Sequence, residues 1–252
     1  MRQAGQVEKK TPLRRRRLLI GSVAAIVVLC LGAYGTVQLM DSRTFQLFGG
    51  LTARVETTQK VVALTFDDGP DPAGTDALLA TLAREQVHGT FFLIGSALQR
   101  YPELGKKIAA AGQQIGNHTY SHERMVFRTP GYVADKITRT DALIRQTGYR
   151  GEIDFRPPNG KKLVVLPWYL AQHNRRTIMW DVEPISYPEI DRSAAATTAY
   201  TVSHVRPGSI VILHGMYASR QPTRDALGPI IDQLRGRGYR FVTVTELLQL
   251  ST

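Results

Sequence analysis

Cysteine is all but missing from the 252-residue chain. Cys30, the only one, sits inside an apolar run, so neither an intramolecular disulfide nor a cysteine-based zinc site can form. No His-Glu-x-x-His occurs, which removes the commonest zinc-peptidase signature. Internal repeats and low-complexity tracts are also absent, so neither a solenoid nor a disordered polar domain is expected. Acidic residues are scarce beside basic ones, 21 against 32, for a formal net charge of +11. Position argues against reading that excess as a nucleic-acid surface. Arg2, Lys9, Lys10 and Arg14 to Arg17 precede the apolar run, with Glu8 the only acid among them. Taking that net +6 away leaves about +5 for all the rest.

What is present begins with the apolar run itself, residues 18–40, which carries no charge and directly follows four arginines. About 20 residues suffice to cross a bilayer as a helix. Flanking arginines favour the cytoplasmic side and send the remainder outside. The small residues around Ala33-Tyr34-Gly35 also suit a cleaved signal sequence. Either way the later domain is exported. The expected division is a basic cytoplasmic segment (1–17), an anchor or signal (18–40), a tether (41–58) and one domain (59–252).

From residue 60 onward, short apolar runs alternate with longer amphipathic ones. Strands are predicted over residues 61–66, 90–94, 113–116, 153–155, 177–180, 210–213 and 240–243. Helices are predicted over 76–86, 96–111, 132–147, 163–173, 194–205 and 224–237. Such alternation implies an α/β fold with parallel pairing, and about seven units suit a distorted or incomplete (β/α) barrel. Asp67, Asp68, His118, His122, Arg156, Asp181, Glu183 and His214 all follow expected strands, where barrels gather their active sites.

The chemistry of these residues converges. His118 and His122, four residues apart, can aim both imidazoles at one point in a tight turn or helix. Two imidazoles and a carboxylate suit zinc or another borderline divalent ion, with positions left open. Asp67 and Asp68, adjacent at a strand end before Gly69-Pro70, would repel one another without a cation close by. One of the pair can be a ligand while the other is a base. Arg156 can hold the base carboxylate ionised, and His214, ending an apolar strand, can be a general acid.

In this order, Thr65-Phe66-Asp67-Asp68-Gly69-Pro70, His118-Thr119-x-x-His122, Arg156-Pro157-Pro158-x-Gly160 and Leu213-His214 resemble the NodB-homology polysaccharide deacetylases, carbohydrate esterase family 4. The resemblance runs from about residue 60 to the C-terminus. It implies that Asp67 is the catalytic base, that Asp68, His118 and His122 hold the metal, that Arg156 orients the base and that His214 is the acid. Asn159, Tyr187 and Leu213 fall at substrate or oxyanion positions. The implied reaction is metal-assisted removal of N- or O-acetyl groups from an acetylated polysaccharide, with zinc the first expectation and cobalt, nickel or manganese also compatible.

Two positions depart from the family pattern. Asn159 stands where Tyr is usual, and Ser186-Tyr187 stand where Asp-Trp is common. A serine cannot stabilise an imidazolium by charge. General acid catalysis is worth about 10²–10⁴-fold, so the departure matters. Asp181 and Glu183 are the acids near enough in sequence to compensate. The competing expectation is a weakly active or non-catalytic glycan-binding protein that keeps the metal cleft.

Overall fold

The computed structural model describes residues 12–250. Its helices are α1 (Pro12–Asp41), α2 (Thr75–Arg84), α3 (Gly95–Arg100), α4 (Pro102–Ala110), α5 (Pro130–Gln146), α6 (Val165–Gln172), α7 (Pro188–Asp191), α8 (Ala194–His204), α9 (Gln221–Gly236) and α10 (Val244–Leu248). Its strands are β1 (Leu51–Thr52), β2 (Val61–Asp67), β3 (Thr90–Leu93), β4 (Gln114–Asn117), β5 (Thr177–Ile178), β6 (Ser209–Leu213) and β7 (Arg240–Phe241). The alternation of strands and helices read from the sequence is an α/β order in the structure.

β2 is the central strand and is buried along its whole length. It pairs in parallel with β3, β6 and β7, and β4 extends the row beyond β3. β-Strand alternation divides its side chains. Val62, Leu64 and Phe66 pack into one apolar cluster, while Val61 and Ala63 enter another. β6 repeats the pattern, Val211 and Leu213 joining the first cluster and Ile210 and Ile212 the second. Each fully buried Leu, Phe or Val contributes about 1.5–3 kcal/mol, so this row anchors the domain. Parallel single-residue bridges continue the pairing from Asn117 to Phe155, from Phe155 to Thr177 and from Val182 to Val211.

Several expectations change. The helix expected over 96–111 is two helices, because Tyr101 adopts a non-helical conformation and Pro102 starts α4. The strand expected over 153–155 is reduced to the bridges at Phe155. The segment expected as a tether, 41–58, is instead bound to the domain. β1 pairs in parallel with β5, and the Val55 N–H donates to Gly208 O at 2.9 Å. Only glycine fits at 208, where φ is +79° and an added Cβ would sit 1.8 Å from Val55 O. At the segment's start, Lys161 pairs with Asp41 and Lys162 donates to Ser42 O. The hydrogen bonds come from backbone and long basic side chains, which carry little signal in the sequence.

α1 stands apart from this core. Within Arg16–Asp41 the most apolar 18-residue stretch has a mean hydropathy of 2.3, and none of that stretch is buried within the protein. The helix is long and apolar enough to cross a membrane. Most of the basic flank, 1–17, lies outside the described residues.

Candidate active site

The carboxyl ends of the central strands carry the polar residues. Asp67 ends β2, and His118 follows β4 directly. Arg156 follows the bridge at Phe155, and His214 follows β6. The register that pairs Phe66 with Leu213 brings Asp67 and His214 to the same end of the sheet. A cavity of about 360 Å³ opens there, lined by Asp67, Asp68, His118, His122, Asn159 and His214 on its polar side.

Arg156 organises the deep wall. It is fully buried, and its guanidinium donates to Asp67 Oδ1 at 2.6 Å, Thr65 Oγ1 at 2.7 Å, Met179 O at 3.0 Å and Ile178 O at 3.2 Å. Burial pulls its pKa down while the Asp67 carboxylate beside it pulls the other way. Its own carbonyl accepts from His118 Nδ1 at 2.8 Å. That bond places the proton on Nδ1 and leaves Nε2 free as a ligand atom.

The histidine loop is a tight turn rather than a helix. Thr119 and His122 have φ of +66° and +54°, and Asp68 has +75°. Left-handed backbone at three non-glycine residues costs on the order of 1 kcal/mol or more each. Neighbouring bonds hold it. Asn117 Oδ1 accepts from Thr119 N, and Asn117 Nδ2 donates to Asp141 Oδ1 and Ile137 O. Thr119 Oγ1 accepts from His122 N, while Gly95 N donates to Thr119 O.

The result is a donor set. One ligand atom each from Asp68, His118 and His122 lies within 4.8 Å of the others. Asp68 Oδ1 is 3.2 Å from His122 Nε2 and 3.8 Å from His118 Nε2. It is buried without a hydrogen-bond partner, a state that costs free energy unless a cation satisfies it. Burial first, then repulsion from Asp67, raises the Asp68 carboxyl to about 7. Burial and its neighbour His122 hold His118 well below the usual imidazole range, and burial also lowers His122. The imidazoles are therefore neutral, as ligands must be, and two nitrogens with one oxygen fit zinc or a related divalent ion.

The His214 side is less complete. His214 Nε2 lies 3.8 Å from Asp68 Oδ2, whereas its Nδ1 is buried without a partner. Burial is the main cause that brings its pKa down to about 4. Ser186 makes no hydrogen bond to it among the described residues and lines a neighbouring cavity instead. Asp181 does not reach His214 either. Its carboxylate accepts from Ser209 Oγ and Ile210 N, tying down the start of β6. Glu183 lines the cleft and pairs with Arg43.

The three substrate positions separate. Asn159 lines the cleft with φ of +54°. Tyr187 is outside it, tilted against Tyr200 at 5.3 Å. Leu213 is wholly buried in the helix-facing core, because alternation along β6 turns Ile212 to the cleft in its place. Trp180, Ile185 and Arg220 also line the cleft and were not singled out from the sequence. Trp180, ending an apolar run, was the legible one; Arg220 depends on a loop fold.

The polysaccharide deacetylase family pattern matches residues 54–178. A peptidoglycan-N-acetylglucosamine deacetylase of Bacillus cereus is 35% identical over 192 residues, covering 75% of this chain and 69% of that protein. A second protein of that description from the same species is 32% identical over 205 residues, covering 80% and 94%. The crystal structure of a peptidoglycan N-acetylglucosamine deacetylase in complex with 4-naphthalen-1-yl-N-oxidanyl-benzamide superposes with a TM-score of 0.73 at 33% identity, over 79% of this chain and 92% of that one. A pseudoenzyme of carbohydrate esterase family 4 from Bacillus anthracis gives 0.69 at 27% identity, over 78% and 68%. Sequence identity spread across nearly the whole of a curated relative, together with a shared α/β architecture, means that the chain belongs to the NodB-homology polysaccharide deacetylases, the hydrolases of carbohydrate esterase family 4.

Proposed function

We propose that the protein removes acetyl groups, N-linked in the first instance, from peptidoglycan glycan strands outside the cytoplasm. One observation carries this reading: a two-imidazole, one-carboxylate donor set lies beside a second carboxylate clamped by a buried arginine. Relatives described as peptidoglycan deacetylases support the choice of polymer. The bridges through Phe155 and Val182 support a distorted, incomplete (β/α) barrel as the scaffold.

Asp68, His118 and His122 would hold the divalent ion, zinc by preference. When bound, it supplies Lewis-acid polarisation of the acetyl carbonyl and lowers the pKa of the hydrolytic water. The protein's own groups do the rest. Asp67 has Oδ1 committed to Arg156, so Oδ2 is free to accept a proton from the attacking water. The backbone N–H of Asn159 is a donor for the oxyanion. Trp180, Ile185 and Ile212 give the acetyl methyl an apolar wall. His214 hands a proton to the departing sugar nitrogen, or to oxygen in an ester, and acetate leaves.

α1 serves as a membrane anchor in this reading, with residues 1–17 cytoplasmic and the domain outside; cleavage near residue 35 would give a secreted form of the same domain. Residues 41–58 belong with the domain, given their pairing to β5 and Gly208.

A second reading has a specific observation behind it. His214 Nδ1 is buried without a partner, and burial brings the ring's pKa down to about 4, so the protonated form that an acid needs is disfavoured at pH 7. A protein with this cleft and no effective acid would be a glycan binder. Acetate release from acetylated peptidoglycan fragments decides. Release that a chelator abolishes and Asp67→Asn removes supports the esterase, whereas tight glycan binding without release supports the binder.

A further inference from the structure

Exposed apolar side chains outside α1 are not evenly scattered. Phe45, Leu47 and Phe48 lie in the segment after α1, and Val164 and Trp168 lie at the start and middle of α6, each between 42% and 55% exposed. A single exposed apolar residue is ordinary, whereas a cluster marks a contact surface. Bonds at both ends bring the two stretches side by side. At one end the Lys162 N–H donates to Met40 O at 3.3 Å, Lys162 Nζ donates to Ser42 O, and Lys161 pairs with Asp41. At the other end Gly49 lies against α6, where an added Cβ would come within 3.1 Å of Ala171 Cβ. The segment after α1 therefore runs alongside α6. That helix has two faces. Leu166, Tyr169 and Leu170 are buried in an apolar cluster with Phe155, which leaves Val164 and Trp168, about one turn apart, on the outer side.

What covers this face follows from where α1 ends. A helix over residues 18–40 rises about 34 Å, enough to cross a hydrocarbon core of about 30 Å. Met40, the last residue of that run, then lies at the outer boundary of the bilayer. Lys162 is bonded to Met40, Val164 follows two residues later, and Phe45 is five residues beyond Met40. At about 3.4 Å per residue, neither stretch can begin more than about 17 Å from that boundary. Aromatic side chains, tryptophan above all, favour this boundary layer. Residues 42–55 and 161–176 contain no acid, and Asp41 is paired with Lys161, so neither stretch presents a free carboxylate to anionic headgroups.

We propose that the face built from these two stretches rests on the outer leaflet of the membrane that α1 crosses. The occupant is lipid, and the proposal rests on the reading of α1 as an anchor. Helix and face together hold the domain at two points, so the domain keeps one tilt instead of swinging from a single helix. Arg43, in the same segment, pairs with Glu183 and lies 5.1 Å from the centre of the Trp180 ring. Both partners line the catalytic cleft, so the near edge of the cleft is held close to the bilayer. The acetylated sugars it reaches are those of glycan lying at the membrane surface.

The chain's two tryptophans supply the test. Trp168 is in the face and 43% exposed, whereas Trp180 is only 5% exposed. The full chain is placed in vesicles of phosphatidylcholine and phosphatidylglycerol, with or without bromine on the upper acyl chains, since bromine quenches a tryptophan only at close range. Comparing the unaltered protein with Trp168→Phe isolates the Trp168 emission. That emission should be largely lost in brominated vesicles, while the emission left in Trp168→Phe should change little. Phe48→Asp should restore most of the Trp168 emission, with the circular dichroism spectrum unchanged. Trp168 emission untouched by bromine, in a chain that alkaline carbonate does not strip from the vesicles, overturns the proposal. So does emission that follows the ratio of protein to lipid instead of bromine, which would put a second copy on the face. A chain that carbonate strips away means that α1 is not an anchor, and lipid is then lost as the occupant of the face as well.

Discussion

The two sides of the catalytic cleft differ in how completely their polar atoms are matched. On the deep side, each nitrogen of the Arg156 guanidinium has at least one acceptor, Asp67 is clamped, and His118 is held through the Arg156 carbonyl. On the other side, His214 has one ring nitrogen facing Asp68 and the other buried without a partner. The deep network sits in a low-dielectric interior, where a complete set of hydrogen bonds fixes one geometry. The His214 side has no such set, and its charged form is penalised accordingly. The Asp67 carboxylate is preorganised in this chain, and the His214 ring is not.

The largest test of that contrast is Asp67→Asn, which keeps the shape of the deep side while removing its base. Acetate release is expected to fall by about 10²–10⁴-fold with the circular dichroism spectrum unchanged. A loss of less than about tenfold would mean that Asp67 is not the base.

Next is Arg156→Met, which strands Asp67 as a buried, unpaired carboxylate. Breaking a buried pair by removing one partner costs about 3–5 kcal/mol, so denaturant titration should show a stability loss of that order. In Asp67→Asn/Arg156→Met the loss should be smaller than in Arg156→Met alone, since no buried charge is left over.

Chelation probes the donor set between the two sides. Asp68 has its pKa raised to about 7, so without a cation the stability it contributes is full below its ordinary value of 3.8 and is lost as pH rises through about 7. A divalent ion replaces that proton. Zinc at a hundredfold excess over its Kd at pH 8 should stabilise by about 2.7 kcal/mol there, and the same zinc concentration should raise Tm less at pH 5. Equal shifts at both pH values would show that Asp68 is not a ligand.

The smallest expected effect is Ser186→Asp. A carboxylate reaching His214 Nδ1 would raise the imidazole pKa from about 4 by roughly one unit or more. The limb on which activity falls with rising pH would then move upward. An unchanged profile would mean that position 186, which lines the adjoining cavity, is too far from the ring.

Much of this arrangement was legible in the sequence where apolar periodicity and adjacent polar residues coincide. β2 reads as a buried strand because residues 61–66 are almost wholly apolar, and Asp67-Asp68 mark its end. The convergence of His118 and His122 was legible from spacing, although the left-handed turn that joins them was not, since positive φ is rare for threonine and uncommon even for histidine. Directions were harder. Asp181 lies two residues from Glu183, yet it faces β6 because unpaired groups of Ser209 and Ile210 await it there. Leu213 adjoins His214 in sequence, but strand alternation sends it into the opposite layer. The docked 41–58 segment depends on contacts with residues more than a hundred positions away, which composition and periodicity do not record.

Arg156 has a consequence for how such a site can change over time. One residue holds both Asp67 and His118, the first by its guanidinium and the second by its backbone carbonyl, so substitution at 156 releases Asp67 while the carbonyl that orients His118 stays. Mutational drift that removes the guanidinium strands a buried carboxylate and is selected against, whereas drift around His214 meets fewer constraints. Variation in reaction rate or pH preference between related proteins should therefore accumulate on the His214 side, and a laboratory seeking to retune this enzyme would start its libraries there.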